Sequence, residues 1–187
     1  MRFEVFHRAK LGLLLLPIIF SLGLSQTHAR PKRDHLTPQE ADMVRDAQEL
    51  DKRVDVLIKA AERRMLLLTD PNATKAPQKD AELWGELRGT RADFLYDVSR
   101  ILDEAITNID DTSSRDDRNP LIPKAVRKLA EASSRILTQL APLRDKVEEG
   151  PERLSFEKAI ENAESVVEAA GKLPPPVKST KKKDSGK

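Results

Sequence analysis

Apolar residues recur along this chain at the three-and-four spacing of amphipathic helices, and no stretch holds the two-residue alternation of a half-buried strand. The first helical signal is LTPQEADM. Thr37 is placed as an N-cap, Pro38 takes the first helical position, and Glu40 stands three residues after the cap, which together make a capping box with Leu36 positioned to staple onto Ala41. Met43, Ala47, Leu50, Val54, Leu57, Ala61 and Leu68 then follow at steps of four and three. They predict one uninterrupted helix over about 37–69 with a single buried stripe. Arg64 fills the one slot of that stripe that is not apolar, either snorkelling to solvent or as a buried partner for an acid such as Asp97. DPNATKAP, with a proline, an aspartate and an asparagine in succession, ends the helix near Thr69.

A long connection from Asp70 to Gly89 carries LWGEL, which predicts a short helical turn near 80–86 holding Leu83 and Trp84. Thr90 and Asp93 form the next capping box. They open a helix over about 90–112 whose stripe is Leu95, Val98, Leu102, Ala105 and Ile109, widened by Phe94, Ile101 and Ile106. A third helix, about 123–148, carries Val126, Leu129, Ser133, Ile136, Leu140, Leu143 and Val147 in heptad spacing. Pro142 inside it predicts a kink or an early end. Pro151 opens a fourth, about 151–170, lined by Phe156, Ile160, Ala163, Val167 and Ala170, with Gly171 as a left-handed C-cap. None of these stripes can be buried alone. The expected fold is therefore all-α: an antiparallel, up-down four-helix bundle over 37–171 with coiled-coil-like packing.

The ends of the chain have a different character. Arg2, Arg8 and Lys10 precede the apolar run LGLLLLPIIFSLGL and the small polar stretch SQTHA, the layout of a secretory signal peptide over 1–29 with cleavage after Ala29. The run from Leu11 to Leu24 is shorter than the roughly 20 apolar residues a membrane span needs, and Pro17 interrupts it. An uncleaved anchor is the rival reading. The expected product is secreted or periplasmic, with no transmembrane helix in the mature chain, a lead at 30–36 and a disordered tail at 172–187. The chain has no cysteine, so neither disulfides nor a lipidated cysteine contribute. Overall, 33 Lys and Arg against 31 Asp and Glu nearly balance. The balance is uneven, because the body is acidic while KLPPPVKSTKKKDSGK is basic. Lys178, Lys181, Lys182 and Lys183 are candidate contacts to an anionic envelope surface. The export signal and acidic body argue against nucleic acid.

Little catalytic chemistry is available. Only His35 remains past residue 29, so inward Glu-x-x-His pairs, zinc sites and histidine-based triads all lack their residues, and no phosphate-binding glycine loop is present. No cofactor is expected, and the reading is non-enzymatic, with a carboxylate-pair hydrolase as the residual enzymatic option. The acidic stretch DEAITNIDDTSSRDDRN raises the question of a cation site. Asp103 with Asp110, and Glu104 with Asp111, lie seven residues apart, roughly 10 Å along a helix, too far to share one ion. A calcium loop begun at Asp110 would need Gly at its sixth position and Glu at its twelfth, where Arg115 and Leu121 stand. Asp110, Asp111, Asp116 and Asp117 stay as weak metal candidates. Trp84, Asp110, Asp111, Arg115 and Arg118 are candidate partner contacts, with Trp84 as either a plug over the core or an anchor for a partner. Asn72-Ala73-Thr74 matches a glycosylation acceptor. Two functions follow: an exported, non-catalytic interaction or scaffold module of the cell envelope, recognising an unknown protein partner or an anionic surface through its tail; or a bundle binding a small ligand or weak Ca²⁺ through the 103–119 loop.

Overall fold

The computed structural model describes residues 33–70, 73 and 78–175. The signal peptide, the first residues of the lead, Asn72 and Thr74 of the glycosylation acceptor, and the tail lysines Lys178, Lys181, Lys182 and Lys183 lie outside the described residues. Those that are described form α1 (Pro38–Asp46), α2 (Leu50–Thr69), α3 (Gln78–Trp84), α4 (Arg91–Arg115), α5 (Leu121–Leu140), a 3₁₀ segment (Ala141–Lys146) and α6 (Pro151–Gly171). Both capping boxes form as the sequence predicts. Thr37 accepts from Glu40 N while Glu40 accepts from Thr37 N, and Thr90 and Asp93 repeat the exchange at the head of α4. Pro142 ends α5 as an α-helix and leaves the tighter 3₁₀ segment, through which Leu143 still reaches the core.

The packed core lies among α2, α4, α5 and α6. Val54, Leu57, Ala61 and Met65 meet Leu95, Val98, Leu102 and Ala105, with Leu129, Ile136 and Leu140 from α5 and Phe156, Ala159 and Ala163 from α6. Each of α2 and α6 packs on both α4 and α5. Cross-helix pairs give the directions. Arg53 with Asn108 and Arg64 with Asp97 set α2 against α4, whereas Asp51 with Lys124 and Glu62 with Arg135 run α2 and α5 the same way. Arg91 with Glu152 and Asn162 with Ser99 likewise make α4 and α6 parallel. Two of the four contacts round the core, α2 with α5 and α4 with α6, are thus parallel.

Three expectations are corrected. The single helix over 37–69 is broken at Ala47–Glu49, where Ala47 (ψ 91°) and Glu49 (ψ 137°) are extended. No proline or glycine causes this break. Its reason is tertiary: Glu40 bonds to Arg63 and Arg64, while a continuous helix would hold residues 40 and 63 roughly 35 Å apart. Reversing the chain folds α1 back along α2, and the freed Ala47 carbonyl takes Arg53 Nε at 3.1 Å. In α6 Phe156 and Ala163 are buried as predicted and Ile160 and Ala170 pack partly buried against the core, but the inner face also takes Glu152, Ala159, Asn162 and Val166 and turns away from the predicted Val167. Val167 is 36% exposed. Glu152 and Asn162 on the inner face conceal its full register, since polar residues give no apolar signal. Gly171 is also not a left-handed cap. It is the last helical residue, and Lys172 (φ −85°, ψ −10°) follows in right-handed geometry.

Candidate functional site

The densest set of ionisable groups in the described chain is a buried clasp where the N-terminal segment crosses α2 and α4. Glu40 in α1 is 0% exposed and is the only residue of that helix to be fully buried. Its Oε1 accepts from Arg63 Nη1 and, at 2.8 Å, from Arg64 Nη1; its Oε2 accepts from Arg64 Nη2 at 2.7 Å and from Thr37 N at 2.9 Å. Four donors fill the sites a carboxylate offers, and that saturation makes a buried charge tolerable. Arg64, 1% exposed, also donates to the carbonyls of Ala60 and His35, each at 2.8 Å, and its Nε stands 3.5 Å from Asp97 Oδ2. The slot in the α2 stripe is thus filled by a buried arginine whose main partner is Glu40, with Asp97 second. Nothing in the sequence points to the Glu40 contact, because the capping box already accounts for that residue.

The same groups hold the lead and the loop after α3. Arg33 donates from Nε and Nη2 to the two oxygens of Asp97, each at 3.1 Å, and His35 Nε2 lies 2.6 Å from Glu104 Oε2. Arg33 and His35 are thus tied to α4 by their side chains, and Leu36 packs against the core. On the other side, Arg63 Nη2 donates to Gly85 O at 2.7 Å, and Thr37 Oγ1 donates to Trp84 O at 2.6 Å. Gly85 has φ +78°, and a Cβ there would stand 2.8 Å from the Thr37 side chain. Only glycine fits both conditions. The Trp84 ring lies 5.9 Å below the Arg63 guanidinium, half-buried at the edge of the clasp.

The other sequence candidates are not gathered in this way. Asp110, Asp111, Arg115, Asp116, Asp117 and Arg118 are all exposed. α4 runs three residues beyond the expected 112, so Asp110 and Asp111 stand before its last turn. Their neighbours are local: Asp111 lies 3.9 Å from Arg115, Asp117 lies 3.9 Å from Arg118, and Asp116 accepts from Arg118 N at 3.2 Å. Glu104 is drawn away to His35 and Asp103 to Arg100 at 2.8 Å. Among the described residues no group of three or more His, Asp or Glu is placed to hold a metal ion, and no helix is long and apolar enough to cross a membrane. Beyond the clasp, a half-open pocket of about 610 Å³ lies between α2, α3 and the 85–89 loop. Leu66, Leu67, Leu87 and Phe94 line it beside Arg63 and Asp80. Leu66 is 52% exposed there.

Two buried carboxylates titrate in opposite directions. Burial pushes Asp97 above its ordinary value, outweighing the pull of Arg33 and Arg64. Asp51, at the second position of α2, accepts from Lys124 and Lys128 at 2.6 and 3.2 Å and is held below its ordinary value, chiefly by Lys124. A raised native pKa means that the Asp97 contribution is complete below the unfolded value and is lost as pH rises through the native one. For Asp51 the contribution is present above the unfolded value and lost as pH falls through the native one. Thermal melts between about pH 3.5 and 6.5 should therefore show the stability advantage of wild type over Asp97→Asn shrinking as pH rises, and its advantage over Asp51→Asn growing. Equal slopes for the two variants would contradict these assignments. Compared with known protein families, curated proteins and solved structures, the chain matches none of them.

Proposed function

We propose that this is an exported, non-catalytic helical protein of the cell envelope, an interaction or scaffold module whose bundle carries a basic tail for holding anionic surfaces. The observation that carries the reading is how the ionisable groups are used. The strongest constellation, Glu40 with Arg63, Arg64, Asp97 and Arg33, is closed on itself: every oxygen of Glu40 is occupied, and Arg64 and Asp97 are each 1% exposed. Groups so engaged serve first to position helices. The acidic carboxylates near 110–117 stand in solvent beside arginines, whereas the buried charges are gathered in the clasp, which favours this reading over the ion-binding one.

The basic leader-like start, the apolar run without cysteine and the lysine-rich end support export and tethering. Each lysine near an anionic surface contributes up to about 1 kcal/mol, so Lys178, Lys181, Lys182 and Lys183 together are expected to raise retention on anionic vesicles at least about tenfold at low salt. Vesicle co-sedimentation of the protein with and without residues 178–187 measures this. Salt-sensitive binding lost on deletion supports the tether, and retention unchanged by the deletion removes it.

A further inference from the structure

The segment Arg33–Asp46 is attached to the rest of the bundle almost wholly by polar contacts. Arg33 meets Asp97, His35 meets Glu104, Thr37 meets Trp84 O, and Glu40 meets Arg63 and Arg64. Leu36 and Val44 add partly buried apolar contact. The join between this strap and α2 is Ala47-Gln48-Glu49, three good helix formers. Met43, Ala47, Leu50 and Val54 keep helical spacing straight through it. Local sequence thus favours one rod, while the clasp within a single copy requires the bend.

We propose that this conflict makes the strap exchangeable between two copies of the chain. Straightening residues 47–49 fuses α1 and α2 and carries Glu40 roughly 35 Å from its own Arg63. From there Glu40 fills the Arg63–Arg64 site of a second copy, and Arg33 and His35 reach that copy's Asp97 and Glu104. A second copy is the partner these contacts specify, because the receiving groups, Asp97, Glu104, Trp84 O, Arg63 and Arg64, are those that a strap of the same sequence already engages. Such an exchange regains every clasp contact and adds helical hydrogen bonds across the former bend, the usual circumstance for swapping at a short hinge.

Two measurements decide it. Wild-type protein refolded at rising concentration and resolved by size exclusion with light scattering is expected to yield a dimer that persists on dilution. In Glu49→Pro the native φ of −82° suits proline while a continuous helix through residue 49 is blocked, so the dimer should fall at least about tenfold. Co-refolding Glu40→Ala with Arg63→Ala/Arg64→Ala restores one clasp only across two chains, so the mixture should give a heterodimer melting above either parent. If wild type forms no dimer, if Glu49→Pro dimerises equally, or if the mixture melts as the sum of its parts, the exchange is overturned. Should the double arginine variant not fold, the comparison of wild type with Glu49→Pro alone decides the proposal.

Discussion

Replacing Glu40 with alanine is expected to lower stability by about 3–5 kcal/mol, a large share of what a domain of this size possesses. The cause is the charge left behind more than the contact removed. Arg63 and Arg64 would remain buried, having lost the anion both share, and would be left with the longer contacts to Asp80 at 3.3 Å and Asp97 at 3.5 Å and with the neutral carbonyls of Ala60, His35 and Gly85. Thr37 N would lose its acceptor at the same time. For a domain of this length the loss corresponds to a melting temperature lower by about 6–20 °C, read from helical ellipticity on heating. Glu40→Gln keeps the shape and two of the acceptor sites, so it should fall between wild type and Glu40→Ala. A change below about 1 kcal/mol in Glu40→Ala would mean that the clasp is open to water.

The second large effect belongs to the apolar core. Phe156 in α6 is 1% exposed and lies with Leu129, Ile136 and Leu102 in the core cluster, so Phe156→Ala should cost about 3–5 kcal/mol through lost transfer energy and the cavity left. Val167→Ala on the same helix removes a side chain already 36% exposed and should cost less than about 1 kcal/mol. Denaturant unfolding of the two variants separates them. The contrast also tests the inner face of α6, since a stripe through Ile160 and Val167 would make the second variant costly as well.

Most of the fold could be read where local signals and burial agree. The capping boxes at Thr37 and Thr90, the stop at Thr69, the interruption at Pro142 and the stripes of α2, α4 and α5 all follow from backbone chemistry or apolar spacing, which act within a few residues. What could not be read depends on long-range contact. The break at Ala47–Glu49 has no breaker residue and exists because a carboxylate in α1 finds two arginines more than twenty residues away. Asn162 donates to Ser99 O from the inner face of α6, and nothing at Asn162 itself announces a partner in α4. For the candidate site, Arg64 was visible as the polar slot in an apolar stripe. Glu40 was hidden behind its second role in the cap. The acidic stretch stands out by composition, yet its charges are divided among His35, Arg100 and Arg115, so composition is a weaker guide than a single arginine in an apolar stripe.

The central claim is that buried charge, not local propensity, decides the path of the N-terminal segment by folding α1 back on α2. The most direct test is a distance between spin labels at two exposed positions, Asp42→Cys and Thr69→Cys, in the monomer fraction of a chain that has no cysteine of its own. The folded-back clasp predicts a distribution centred below about 25 Å, lengthening when Glu40→Ala is added, whereas an unbroken helix spans about 40 Å between these residues. A wild-type monomer centred near that longer distance would contradict the account.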